Sequence, residues 1–167
     1  LHIGDRRQRQ MCIKRQADAW IDPSRPVPRA LITHAHADHA RPGCGEYWAV
    51  DVSEGVLRQR LGRDITLHPM AYGQEFWLNQ ACLSFHSAGH VLGSAQVRLK
   101  VNDAVWVVTG DYKRCADPSC APFESVPCDV MITEATFALP IYAWDSGAQI
   151  AEPVSYTHLT LPTISDV

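Results

Sequence analysis

The sequence predicts an α/β domain, rich in strand and poor in helix, on three observations. Eight short apolar, β-branched runs are separated by turn formers, at residues 19 to 22, 30 to 33, 47 to 50, 65 to 68, 81 to 86, 95 to 101, 104 to 109 and 129 to 133. Ser53 to Leu61 reads as a short helix with Val56 and Leu57 as apolar positions. Three of the strand-like runs lead through a small residue into a metal-type side chain, which puts candidate ligands at strand ends. No internal repeat is visible.

The run Ala30-Leu31-Ile32-Thr33 leads into His34-Ala35-His36-Ala37-Asp38-His39, four metal-type side chains in six positions. Side-chain direction alternates with period two in extended chain, so His34 and His36 project the same way and can reach one ion. Asp38 and His39 fall where the chain is expected to turn toward a helix, free to face a second ion. Zinc accepts imidazole nitrogen and carboxylate oxygen, and a catalytic site keeps a position open for water. Four ligands are too few for two ions, so further ligands are expected downstream.

After the run 81 to 86 comes Ser87-Ala88-Gly89-His90-Val91-Leu92-Gly93-Ser94, a histidine between glycines that permit tight or positive-φ backbone. The run Ala104 to Thr109 ends in Gly110-Asp111-Tyr112, and an aspartate at the end of a core strand is placed to bridge two metals. Taken alone, His90 is an ordinary structural histidine and Gly110-Asp111 an ordinary turn. The hexapeptide changes that balance, because a two-metal site needs such partners. His2, His68, His86 and His158 lack this context and read as structural.

With these motifs the chain resembles the metallo-β-lactamase superfamily, whose signature His-x-His-x-Asp-His is matched by His34, His36, Asp38 and His39. Ala88-Gly89-His90 and Gly110-Asp111 match its third and fourth ligand motifs in order. Gly89 to Ser94, Gly110 to Arg114 and Thr133-Glu134-Ala135-Thr136-Phe137 resemble the β-CASP nucleases, which cleave nucleic-acid phosphodiesters. Ala19 to Pro23, Arg25-Pro26-Val27, His39 to Gly43, Cys120 to Glu124 and Leu139 to Tyr142 are similar to the bacterial ligase-associated DNA exonucleases. That similarity runs from about residue 19 to about residue 152.

The resemblance implies an αββα sandwich of two sheets flanked by helices. It implies an enzyme that processes DNA 3′ ends in repair beside an ATP-dependent DNA ligase, by two-metal hydrolysis with a metal-bound hydroxide. His34, His36 and His90 would hold one ion and Asp38 and His39 the other, with Asp111 between them. The ions would be two zincs, with manganese as the alternative. Asp38 would also take a proton from the nucleophile, and Glu134 would orient an imidazole or a proton donor. The alternatives are an RNA-processing β-CASP nuclease or a small-molecule hydrolase of the fold, of thioesterase or lactamase kind. Small-molecule hydrolases of the fold have no need of Glu134 and the Thr-Phe that follows.

Composition sets further limits. The formal net charge of -3 does not suit a protein living by non-specific nucleic-acid affinity, so contact with phosphates is expected from a local patch. Arg41, Lys113 and Arg114 lie beside the metal motifs and are the candidates; Arg58, Arg60 and Arg63 read equally as a solvated helix face. The six cysteines lack paired metal-site spacing, the pattern of a reduced, cytoplasmic protein. No apolar stretch approaches 18 residues, so no membrane span is expected. Residues 1 to 16 and 153 to 167 match nothing in the family, leaving 17 to 152 as a partial metallo-β-lactamase domain. At 167 residues the chain reads as a truncated, amino-terminal part of a longer enzyme, without the β-CASP domain and carboxy-terminal histidines, and little turnover is expected from it alone.

Overall fold

The apolar runs form nine strands in two sheets, in a computed structural model described over residues 17 to 135. The segments 1 to 16 and 153 to 167, with His2, Cys12, His158 and the stretch Leu139 to Tyr142, lie outside the described residues. All described residues but Ala135 belong to one unit that ends at Glu134.

The first sheet is parallel throughout, in the order β1 (Trp20–Ile21), β2 (Arg29–Leu31), β3 (Glu46–Val50), β4 (Leu67–Met70). Alternation gives it two buried faces. Leu31, Trp48, Val50 and Met70 face the second sheet, while Ala30, Ile32, Tyr47 and Ala49 pack with Leu57 and Leu61 of the helix α1 (Glu54–Leu61). A single 3-10 turn, Asp51–Ser53, leads from β3 into that helix.

The second sheet has the order β5 (Phe76–Leu78), β6 (Ala81–Ser87), β7 (Ala95–Val101), β8 (Ala104–Val108), β9 (Val130–Ile132). Its pairings are antiparallel except β8 with β9. Leu78, Leu83, Phe85, Val97, Leu99 and Val108 meet the first sheet and make the central core. The architecture is therefore an α+β sandwich, with a helix outside the first sheet. Outside the second sheet runs an irregular strap, residues 110 to 129, between β8 and β9. It covers side chains that point away from the core, including Gln96 and Val107, which are fully buried.

Three elements depart from expectation. The fourth strand lies at Leu67–Met70 rather than 65 to 68, because Ile65 is drawn under α1 and Pro69 is tolerated on a strand at the sheet's edge. Strand β5 was not anticipated; three residues closed by Asn79 at φ 51° are too short to show a period. No helix follows the hexapeptide. Ala40 N–H donates to His36 C=O (2.8 Å) and closes one turn, after which Pro42 stops helical continuation.

Candidate metal centre

The hexapeptide starts at His34, three residues after the end of β2, and is held in place by its neighbours on both sides. Asp22, just past β1, adopts φ 44° and accepts hydrogen bonds from Thr33 N–H (2.9 Å) and Thr33 Oγ1 (2.6 Å). With its proton given to Asp22, the Thr33 hydroxyl can only accept from His34 Nδ1 at 3.1 Å. That assigns the proton of His34 to Nδ1 and leaves Nε2 as a lone pair facing the site. Burial supports the same state, pushing the His34 imidazolium down to about 3, with the nearby His39 and His36 adding to the shift.

Asp22 orients a second ring as well. His39 Nδ1 lies 2.8 Å from Asp22 Oδ2, so His39 Nε2 faces Asp38 Oδ2 (3.4 Å) and Asp111 Oδ1 (3.5 Å). Burial alone lowers the His39 pKa, but the hydrogen bond and charge of Asp22 outweigh it and the net shift is upward. A carboxylate that fixes the tautomer of an imidazole in this way is the usual support of a metal-ligating histidine.

His90 stands on the loop after β6, and Ser94 shapes that loop. Ser94 Oγ accepts from the backbone N–H groups of His90 (3.0 Å) and Val91 (3.1 Å). Gly89 sits at φ 68°, and a Cβ there would collide with Lys113 C=O and lie 2.8 Å from Phe123 N. Gly110, at φ 58°, brings Asp111 in against Thr33, where a Cβ would come within 2.8 Å of the threonine side chain. Both glycines are thus required for close approach as well as for their dihedrals.

One ligand atom from each of His34, His36, His90 and Asp111 lies within 4.8 Å of the others. His34 Nε2 is 2.9 Å from His36 Nδ1 and 3.8 Å from Asp111 Oδ2, which is 4.0 Å from His90 Nε2. Donors about 2.1 Å from a tetrahedral zinc lie roughly 3.4 Å apart, so the spread suits one ion with little movement. His90 Nε2 is buried and has no hydrogen-bond partner among the described residues, as a nitrogen meant for a metal should be. The two oxygens of Asp111 face different groups, Oδ2 the three-histidine side and Oδ1 His39. The residues therefore fit a divalent cation, and Asp111 lies between the three-histidine side and His39.

Other candidates fall around this centre. Glu134 is half-buried beyond β9; burial lowers the His90 pKa, and the charges of Asp111 and, more weakly, Glu134 oppose that shift. Arg41 and Arg114 are exposed, on the loops that follow the hexapeptide and Asp111. Lys113 is exposed and paired with Asp117 at 2.9 Å. Arg58 is tied into α1, through Glu54 at 2.8 Å and the carbonyls of Arg63 and Ile65. Asp22 and Ser94 act on the site yet were not singled out from sequence. The signal for Asp22 was the one that marked the candidate ligands, a metal-type side chain at the end of an apolar run.

No family model matches the chain. It is 30% identical over 145 residues to a probable DNA ligase of Opitutus terrae, a match covering 85% of this chain and 14% of that protein. It is 41% identical over 56 residues to the cleavage and polyadenylation specificity factor subunit 3-II of Arabidopsis thaliana, covering 32% of this chain and 9% of that protein. It is 43% identical over 61 residues to the transcription termination factor FttA of Methanosarcina mazei, covering 33% and 9%. The chain thus spans a small part of the length of the relatives it matches. A two-sheet domain with this histidine and aspartate cluster at its strand ends is of metallo-β-lactamase type. Within that superfamily the chain resembles the β-CASP nucleases, its ligase-associated members among them.

Proposed function

We infer that this chain supplies the metal-binding wall of a nuclease that hydrolyses phosphodiester bonds at DNA 3′ ends. The observation that carries the reading is Asp111, whose two oxygens are divided between His34 and His90 on one side and His39 on the other. In this reading His34, His36 and His90 hold one divalent ion, Asp38 and His39 a second, and Asp111 both. Zinc suits the donor set and manganese is the alternative. Bound there, the ions supply Lewis acidity toward the phosphate and bring an attacking water toward ionisation near neutral pH.

The protein side of the reaction follows from named groups. Asp22 orients both rings, so that His34 presents a lone pair at Nε2 and His39 turns its Nε2 toward Asp38 and Asp111. The Asp38 side chain, 70% exposed, is free to accept the proton of the attacking water at Oδ2. Glu134 acts on His90 through its charge, opposing the downward shift that burial imposes on that imidazole. Arg41 and Arg114 are the side chains offered to the phosphate backbone.

DNA is preferred over RNA because the match to the ligase covers most of this chain, and a ligase is the expected partner. The competing reading is an RNA-processing nuclease. It is favoured by the higher identity over a shorter stretch to proteins named for cleavage and polyadenylation and for transcription termination. The test is digestion of matched, 5′-labelled single-stranded DNA and RNA with zinc or manganese by the enzyme containing this domain. A ladder shortening from the 3′ end on DNA alone is expected, and Asp38→Ala and His36→Ala should abolish it. Undiminished digestion by Asp38→Ala would sink the site assignment, and digestion of RNA alone would select the second reading.

A further inference from the structure

The strap across the second sheet leaves the site at Asp111 and returns to it at Phe123 and Glu124. Near its start, Lys113 N–H donates to Ala88 C=O at 2.9 Å. On its return, Glu124 N–H donates to Ser87 C=O at 3.0 Å, and Ser87 Oγ donates to Ala121 C=O at 2.8 Å. Gly89 is squeezed between Lys113 and Phe123. The loop carrying His90 is therefore gripped by both limbs of the segment that begins with Asp111.

Glu124 is where that grip is fastened. Its Oε1 lies 2.8 Å from His86 Nδ1, and its carbonyl accepts from Gln96 Nε2 at 2.7 Å. Gln96 also donates to Ser87 C=O at 2.9 Å, and its side chain is fully buried. His86 Nε2 is 3.0 Å from Ser84 Oγ, so the ring is braced on its other side. The order serine, histidine, carboxylate is that of a nucleophile relay. Ser84, however, is 2% exposed under the strap and open to no substrate, so the network has another role.

We propose that Glu124, braced by His86, Ser84 and Gln96, is a positioning residue that sets His90 against Asp111 and so tunes the metal centre. The inference rests on the reading of that cluster as a metal site. Residues that orient a metal site from outside its ligand shell change affinity by about 10- to 100-fold when removed. The effect here passes through the backbone of residues 87 to 89, at the lower end of that range.

The experiment is a cobalt(II) titration of the full chain, read by visible absorption and by competition with a chelator, with thermal melting of the metal-free proteins alongside. Glu124→Ala should weaken cobalt binding about tenfold and alter the absorption band that reports coordination geometry. Glu124→Gln, whose amide oxygen still accepts from His86, should restore both. His86→Ala should reproduce the loss, and adding it to Glu124→Ala should cost little more. Affinity and band unchanged in Glu124→Ala and His86→Ala, whatever their melting temperatures, would overturn the proposal alone. Absence of cobalt uptake by the unaltered chain would overturn the metal site and this proposal with it.

Discussion

Asp22 shows how one carboxylate can set a site to which it contributes no ligand. It holds Thr33 by two hydrogen bonds and His39 by a third, and through Thr33 it fixes the proton of His34. Asp22→Ala removes all of these and leaves a buried threonine hydroxyl free to rotate. Metal affinity should fall by about 10- to 100-fold, the range for such supporting carboxylates. Stability should fall by about 1–3 kcal/mol for the unmade bonds. Isothermal titration with zinc and denaturant unfolding would measure the two effects, and an unchanged zinc affinity would remove Asp22 from the site.

The same residues give the metal-free chain opposing pH dependences. Burial holds the His34 pKa at about 3 when folded, whereas the unfolded chain protonates it near 6.5. The unfolded state therefore binds more protons in that window, and stability is lost as pH falls from 6.5 toward 3. His39 has the opposite sign. Its folded pKa is raised by Asp22, so its contribution is full below 6.5 and fades as pH rises through the folded value. Calorimetric melting in the presence of chelator should show stability declining into acid. His34→Gln should flatten that decline, whereas His39→Gln should leave it unchanged and instead remove the loss of stability as pH rises above 6.5; parallel profiles for all three proteins would contradict the assignment.

At the scale of elements, what could be read from the chain was what lies close together in it. His34, His36, Asp38 and His39 fall within six consecutive positions, and His90 and Asp111 follow strong apolar runs, so one rule singled out all six candidates. What could not be read depends on contacts between distant segments. Asp22 meets His39 across 17 residues and His86 meets Glu124 across 38, and neither spacing leaves a periodic trace. Strand β5 and the single turn after His36 are too short for the hydrophobic period to declare them. The helix α1 was legible, but the use of its arginines was not. Arg58 closes the helix by bonding Glu54 and the carbonyls of Arg63 and Ile65 rather than waiting for phosphate. Arg58→Ala should therefore cost roughly 1 kcal/mol of stability, since these bonds are only partly buried. Nucleic-acid affinity in the same protein should stay within the error of a fluorescence anisotropy titration.

For the molecule as a whole, charge is the main restraint on the proposed activity. A net charge of -3 on these 167 residues repels a polyanion at long range, so the affinity this chain contributes must come from cations grouped beside the candidate metal cluster. Arg41 and Arg114 are exposed at that edge, while Lys113 is partly neutralised by its pairing with Asp117. That pairing also raises the Lys113 pKa, through the hydrogen bond and charge of Asp117, so the lysine remains a cation that Asp117 masks. Each phosphate contact contributes about -0.7 to the slope of log affinity against log salt for single strands. Arg41→Ala and Arg114→Ala should each make the slope shallower by about that amount, on DNA and RNA alike, because such contacts carry no sequence information. Asp117→Ala should act in the opposite direction, releasing Lys113 and steepening the slope by up to the same amount. Binding by catalytically inactive Asp38→Ala protein, followed between low and moderate salt, separates these effects from turnover. Slopes unmoved by all three substitutions would show that the nucleic acid lies elsewhere on the surface.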